Sequence, residues 1–306
     1  AVREELYRGY LMFESEKIEL VLGRQRVPWG VGRLWNPIDR FNAIGPLAVE
    51  ADQSPGVDAL LGRWLFSGFS FVELVAAPLR ELEDGSYALR AHGVISNVDT
   101  SAIVGYFERA VTVGIDLAGN VGDAAARLEV VYAHPTRDVW PVDAAAPSRL
   151  GDFWQVVGSV DYLFDLGSGL YVLLEHLYNG NALGFGAGRA GGLLPFFEQS
   201  TQCAAPLPTP CVTPASNAIS GGSRVVTRSA QITGMQLGYD ITPELRGDFL
   251  TLYDWSGVSA SFVPSLSYSP LDWLEVRAGA QLFAGGAESE FGNAGALVYL
   301  LAEAFF

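Results

Sequence analysis

Three pairs of opposite charges sit two residues apart in otherwise apolar stretches: Arg127 with Glu129, Arg246 with Asp248, and Glu275 with Arg277. Side chains two apart share one face of a β-strand. These pairs therefore predict an ion-pair ladder across neighbouring strands rather than a proton-transfer site. Such a ladder stabilises a wall and also sets the field felt by a solute passing along it. Residues for other chemistry are sparse. His92, His134 and His176 are the only histidines, and none has a second His or Cys at ligand spacing. His134 beside Asp138 comes nearest to an acid–base pair, and it reads as a solvated loop. No catalytic residue, metal site or cofactor is expected, so the chain does not read as an enzyme. Gly186-Ala187-Gly188-Arg189-Ala190-Gly191 matches the dinucleotide pattern G-x-G-x-x-G. Pro195 follows at once and no helical pattern opens, so this reads as a glycine loop. Cys203 and Cys211 lie close together in one long loop and read as a local disulfide, the alternative being two free thiols.

The elements that must carry these charges are strands. Apolar residues alternate with polar ones along Arg109–Ala118, Ala126–Tyr132, Trp154–Phe164 and Trp273–Ala284, and no helical period is sustained. Candidate strands fall near 4–13, 17–27, 57–66, 69–78, 86–96, 99–107, 109–118, 125–133, 153–164, 169–179, 229–240, 244–254, 256–268, 273–284 and 296–306. At about ten residues they are longer than the roughly five or six usual in soluble sheets and match a tilted bilayer-crossing strand. The apolar face carries aromatics near strand ends: Tyr7 and Phe13, Tyr132, Tyr162 and Phe164. Tight connections alternate with longer ones at 28–56, 134–152, 180–228 and 285–295, an asymmetry typical of outer-membrane barrels. Of 306 residues 49% are apolar, which excludes a disordered chain; charges interrupt every apolar run before a spanning helix is complete. The net charge of −15 excludes a nucleic-acid binder.

The fold expected is an antiparallel transmembrane β-barrel of about 16 strands, a single domain over 1–306. Turning the apolar face to lipid puts Arg8, Glu19, Arg63, Glu73, Arg90, Asp116, Arg127, Glu129, Asp161, Glu175, Arg246, Asp248, Glu275, Arg277 and Glu303 along the pore, with His92, Gln155 and Gln281. Arg24 and Arg26 break this parity. Either a bulge at Gly23 shifts the register, or both face lipid headgroups at the outer rim. Downstream, Arg33 and Arg40 are placed to narrow the pore, with Trp29, Trp35 and Phe41 folding inward beside them. The apolar run 193–197 within 180–228 is expected to fold over the mouth, held by Cys203–Cys211.

The chain ends in an alternating strand closed by Phe306. This resembles the terminal assembly signal of Gram-negative outer-membrane proteins. Gly23-Arg24-Gln25-Arg26-Val27-Pro28-Trp29-Gly30 resembles the GRQ…WG element of porin-like families. The resemblance implies an outer-membrane, porin-like channel for passive diffusion of small solutes or ions, with lipid around it. The alternative is a scaffold barrel of a larger envelope complex, its lumen occluded; a homo-oligomer or an envelope-complex partner fits either. Counting strand directions back from Phe306 predicts one strand ahead of Ala1, or else a split or missed strand around 57–78 or 99–118. Nine acids against six arginines along the pore predict weak cation preference, whereas Arg33 and Arg40 at the narrowest point would favour anions.

Overall fold

The computed structural model describes residues 8–42, 45–48, 56–79, 82, 85–107, 110–136, 152–182, 225, 227–287, 289–292 and 295–305. These form fifteen antiparallel strands hydrogen-bonded in chain order. They are β1 Gly9–Glu14, β2 Ile18–Gln25, β3 Val57–Ser67, β4 Ser70–Ala77, β5 Ser86–Ile95, β6 Val98–Phe107, β7 Ala110–Val121 and β8 Ala124–Pro135. The rest are β9 Phe153–Phe164, β10 Leu170–Asn179, β11 Gln231–Thr242, β12 Leu245–Asp254, β13 Ser259–Leu271, β14 Leu274–Ala284 and β15 Ala296–Ala304. The segments 57–78 and 99–118 each hold two strands, so no strand was split or missed there. No described helix is long and apolar enough to cross a membrane.

The alternation read from sequence appears as alternating exposure. In β2, Ile18, Leu20 and Leu22 are exposed while Glu19 is half-buried and Val21 buried. In β7, Val111, Val113 and Ile115 are exposed while Thr112 and Asp116 are buried. The apolar side chains are thus the exposed ones, the reverse of a water-soluble sheet. Local turn chemistry fixes the hairpins. Ser96 and Asn97 both take positive φ (51° and 66°), the geometry of a two-residue hairpin between β5 and β6.

The chain divides into two compact units. The first comprises Ala1–Gly119, Arg127–Val157 and Thr209–Val225. Its core lies between a loop and one face of the sheet: Val27, Trp29, Ile38 and Phe41 pack on Val21, Leu61, Val75, Ile103, Phe107 and Val131. The second comprises Asn120–Ala126, Gly158–Pro208 and Val226–Phe306. There Leu173, Leu177, Ile232 and Leu252 are buried on the polar face, beside Glu175, Asp254 and Glu290.

Candidate functional site

The first unit's polar face carries a ladder of charges in direct cross-strand register. Glu19 of β2 stands opposite Arg63 of β3, Arg63 opposite Glu73 of β4, and Glu73 opposite Arg90 of β5. Arg63 donates from Nη1 to Glu19 Oε2 at 2.7 Å and from Nε and Nη2 to Glu73 Oε2 at 2.8 and 2.5 Å. Arg90 reaches on to Ser101 Oγ at 2.9 Å, and Ser101 stands opposite the buried Asp116. Glu19 and Glu73 are each met by a guanidinium at the adjacent position, which makes burial of their charges tolerable.

The loop after β2 docks on this ladder. Trp29 is 1% exposed; its indole N–H donates to Glu73 Oε1, Arg90 stacks 6.0 Å from its ring, and Phe41 meets it edge-on at 5.1 Å. Glu129 of β8 supplies the second anchor. Its Oε1 accepts the N–H groups of Val31 and Gly32 at 2.5 Å each, and its Oε2 that of Ile38 at 3.1 Å. Within the loop, Asn36 donates to the Trp29 carbonyl, Asp39 Oδ1 accepts from Phe41 and Asn42 N–H, and Asn42 Oδ1 accepts from Val27 N–H. Burial pushes the Asp39 carboxyl up to about 6, against those hydrogen bonds and the nearby Arg26.

Docking leaves a cavity of about 340 Å³ in the first unit. Arg26 and Arg33 from the loop and Arg127 from β8 line it, with Asn36, Asp39 and the backbone of Gly30 to Gly32. Arg26 and Arg33 are exposed and Arg127 is half-buried.

The structure redistributes several residues singled out in the sequence. Arg33 lines the cavity, but Arg40 does not: it is 3% exposed and donates from Nη2 to Gln155 Oε1 at 2.9 Å. Arg127 and Glu129 share a face, yet Glu129 is taken by the loop rather than by a ladder. No bulge occurs at Gly23, where β2 keeps its register with both β1 and β3. Arg24 stays on the apolar face and is bound to Asp58 at 2.6 Å, whereas Arg26, just past the strand, lines the cavity. His134 lies on β8, not in a loop, with Asp152 at 2.6 Å as its partner.

In the second unit, Arg246 binds Asp248 at 3.0 Å and Asp240 at 3.1 Å, and Arg277 binds Glu275 at 3.0 Å. Glu175 is fully buried opposite Gly234, Asp161 is half-buried on β9, and Glu303 stands opposite Glu275. Glu290 holds the connections there by accepting from Arg228 and Ser229 N–H at 2.6 and 2.8 Å, and burial pushes its carboxyl up to about 7. Arg8 is exposed one residue ahead of β1. Cys203, Cys211, Phe306, the glycine run 186–191 and the apolar run 193–197 lie outside the described residues. Sequence reasoning did not single out Asn36, Asp39 or the anchoring role of Glu129; the Asn-Pro and Asp turn residues between Trp35 and Asn42 were their signal.

No family model matches the chain, and no curated protein matches it in sequence. In structure it is similar to OccAB1 of Acinetobacter baumannii, at TM-score 0.53 and 9% identity over 97% of this chain and 76% of that one. It also aligns with OpdL of Pseudomonas aeruginosa (TM-score 0.49, 11% identity, 96% and 81% covered). A third alignment is with OmpT, an outer membrane protein of Vibrio cholerae (0.41, 8%, 95% and 86%). The likeness to OccAB1 is one of fold. With the fifteen-stranded antiparallel sheet it defines the class: an all-β, antiparallel chain that shares the fold of OccAB1.

Proposed function

We propose that the chain is an outer-membrane, porin-like channel for small hydrophilic solutes or ions, built as one barrel domain over 1–306, with lipid on its apolar face. One observation carries this reading: the sheet exposes its large apolar side chains and buries its charged ones in paired ladders. Water would penalise that sidedness; a bilayer outside and a hydrated lumen inside favour it. The docked loop then acts as a constriction, and the half-buried wall charges, Arg63, Arg127, Asp161, Glu275 and Arg277 among them, line the path. The scaffold reading keeps one supporting feature, the apolar packing of Trp29, Ile38 and Phe41 into the space a lumen would occupy. Planar-bilayer recording of the purified, refolded chain tests the choice. Discrete conductance steps are expected; insertion into the bilayer without conductance would favour the scaffold.

A further inference from the structure

Three polar side chains stand abreast on neighbouring strands of the first unit: His92 of β5 opposite Ser101 of β6, and Ser101 opposite Asp116 of β7. We propose that they form a proton-binding relay in the wall. In it Ser101 donates to Asp116, His92 is held as its Nδ1–H tautomer, and His92 Nε2 takes up a proton from lumen water. The proposal deepens the channel reading and rests on it for the lumen, though not for the tautomer itself.

The Ser101 hydroxyl decides the arrangement. It is fully buried, and three groups meet it: Arg90 Nη2 at 2.9 Å, His92 Nδ1 at 3.1 Å and the Asp116 carboxylate. A hydroxyl has one proton to give and two lone pairs that receive. Arg90 can only donate, so it fills one lone pair. The proton goes to Asp116. That carboxylate is 1% exposed, and its Oδ2 has no partner among the described residues. Leaving a buried charged acceptor unmet costs more than leaving a neutral one unmet. His92 therefore meets the second lone pair, which it can fill only by donating from Nδ1. The hydrogen bond made by one ring nitrogen fixes the state of the other. The neutral ring thus carries its proton on Nδ1 and a free lone pair on Nε2.

Nε2 is the nitrogen open to protonation. It diverges from Nδ1 across the ring and so points away from β6, and it holds no hydrogen bond to a described residue. The ring is half-buried and lies on Phe71 of β4, with 4.8 Å between centroids and 30° between planes. Charges of both signs face it: Arg63 of β3, Arg90 on its own strand, Asp99 of β6 and Asp116 of β7. Glu73 of β4 is bound to Arg63, and Glu129 of β8 holds the loop. Proton uptake at Nε2 reverses none of the three hydrogen bonds at Ser101. It therefore adds one positive charge to the wall without requiring a side chain to move. At about 0.15 M salt a solute within roughly 8 Å feels that charge. Acid should shift the channel's preference towards anions.

The test is a long-range proton–nitrogen correlation spectrum of the full chain, refolded in detergent with isotope-labelled histidine, at about pH 8. His92→Gln identifies the His92 signals among those of the three histidines. The Nδ1–H tautomer is expected for His92. Ser101→Ala should return the ring to the Nε2–H form that free histidine favours, whereas Ser101→Thr, which keeps the hydroxyl, should retain Nδ1–H. If Ser101→Ala does not refold, Asp116→Asn removes the charge that claims the proton and should give the same change. An Nε2–H ring in the wild type, or one unaltered by both Ser101→Ala and Asp116→Asn, overturns the relay. Reversal potentials in a potassium chloride gradient test the proton uptake. From about pH 8 to about pH 5, across the imidazole range, the wild type should shift towards anions and His92→Gln should shift less. Equal shifts overturn His92 as the group that the lumen protonates. A wild type without conductance sinks the channel and leaves the tautomer standing, whereas an Nε2–H ring in a conducting protein sinks the relay alone.

Discussion

Glu129 illustrates how one wall side chain decides where a loop lies. Its carboxylate accepts three backbone N–H groups from Val31, Gly32 and Ile38. Truncation to alanine leaves these donors without their acceptor, at about 1–3 kcal/mol for each that stays buried. Glu129→Ala should therefore release the loop while the strand ladder persists. Hydrogen exchange at those amides should accelerate and single-channel conductance should rise; unchanged exchange would remove Glu129 as the anchor. Asp39 adds a pH dependence. Its carboxyl titrates at about 6 in the folded loop against 3.8 unperturbed, so the folded state holds the proton more tightly. Its stabilising contribution is fully present below about pH 4 and is lost as pH rises through about 6. Loop protection measured from pH 4 to 7 should fall with rising pH, and Asp39→Asn should flatten that slope while keeping an oxygen for Phe41 and Asn42 N–H.

The loop as an element depends on glycines at its closest approaches. Gly30 has φ of +82°, and a Cβ there would fall 2.0 Å from Asn36 Oδ1. Gly30→Ala should cost the docked loop about 1–2 kcal/mol from the left-handed backbone alone, with the clash added. Faster limited proteolysis within 26–42 is the readout, and an unchanged rate would contradict the close approach. The strands, by contrast, were legible because their signal is local. The two-residue alternation of Phe153–Phe164 gives the observed β9 to the residue. The start of β13 was read too early, at 256 instead of Ser259, because Asp254 Oδ1 accepts the N–H groups of Ser256 and Gly257 and holds them in a turn. The cavity was legible only in part. Arg33 could be suspected from its place in a Trp- and Arg-bearing loop. Its grouping with Arg127, and the fate of Arg40, depend on contacts such as Val31–Glu129, whose partners are 98 positions apart. No period in the sequence encodes such a pairing.

At the scale of the whole molecule, the question is which face meets lipid, and neighbouring residues on one strand can answer it. Leu266 of β13 is 49% exposed on the apolar face, with Tyr268 exposed two residues on. Ser265, one residue before it, points to the polar face, where its cross-strand partners are Asp248 and Gly279. An arginine at 266 would project into hydrocarbon, at a cost of about 2–4 kcal/mol near the bilayer midplane. An arginine at 265 would stand on the polar face with a countercharge in Asp248, and the Tyr299 ring that covers Gly279 would have to shift for it, so it should cost less than the arginine at 266. Urea titration of refolding into phospholipid vesicles measures both. The expected order is a large loss for Leu266→Arg and a smaller one for Ser265→Arg. A soluble sheet with its polar-face residues in a dry core would reverse that order, because the arginine at 265 would then be the buried one. Reversal would refute the lipid-facing assignment and, with it, the channel built upon that assignment.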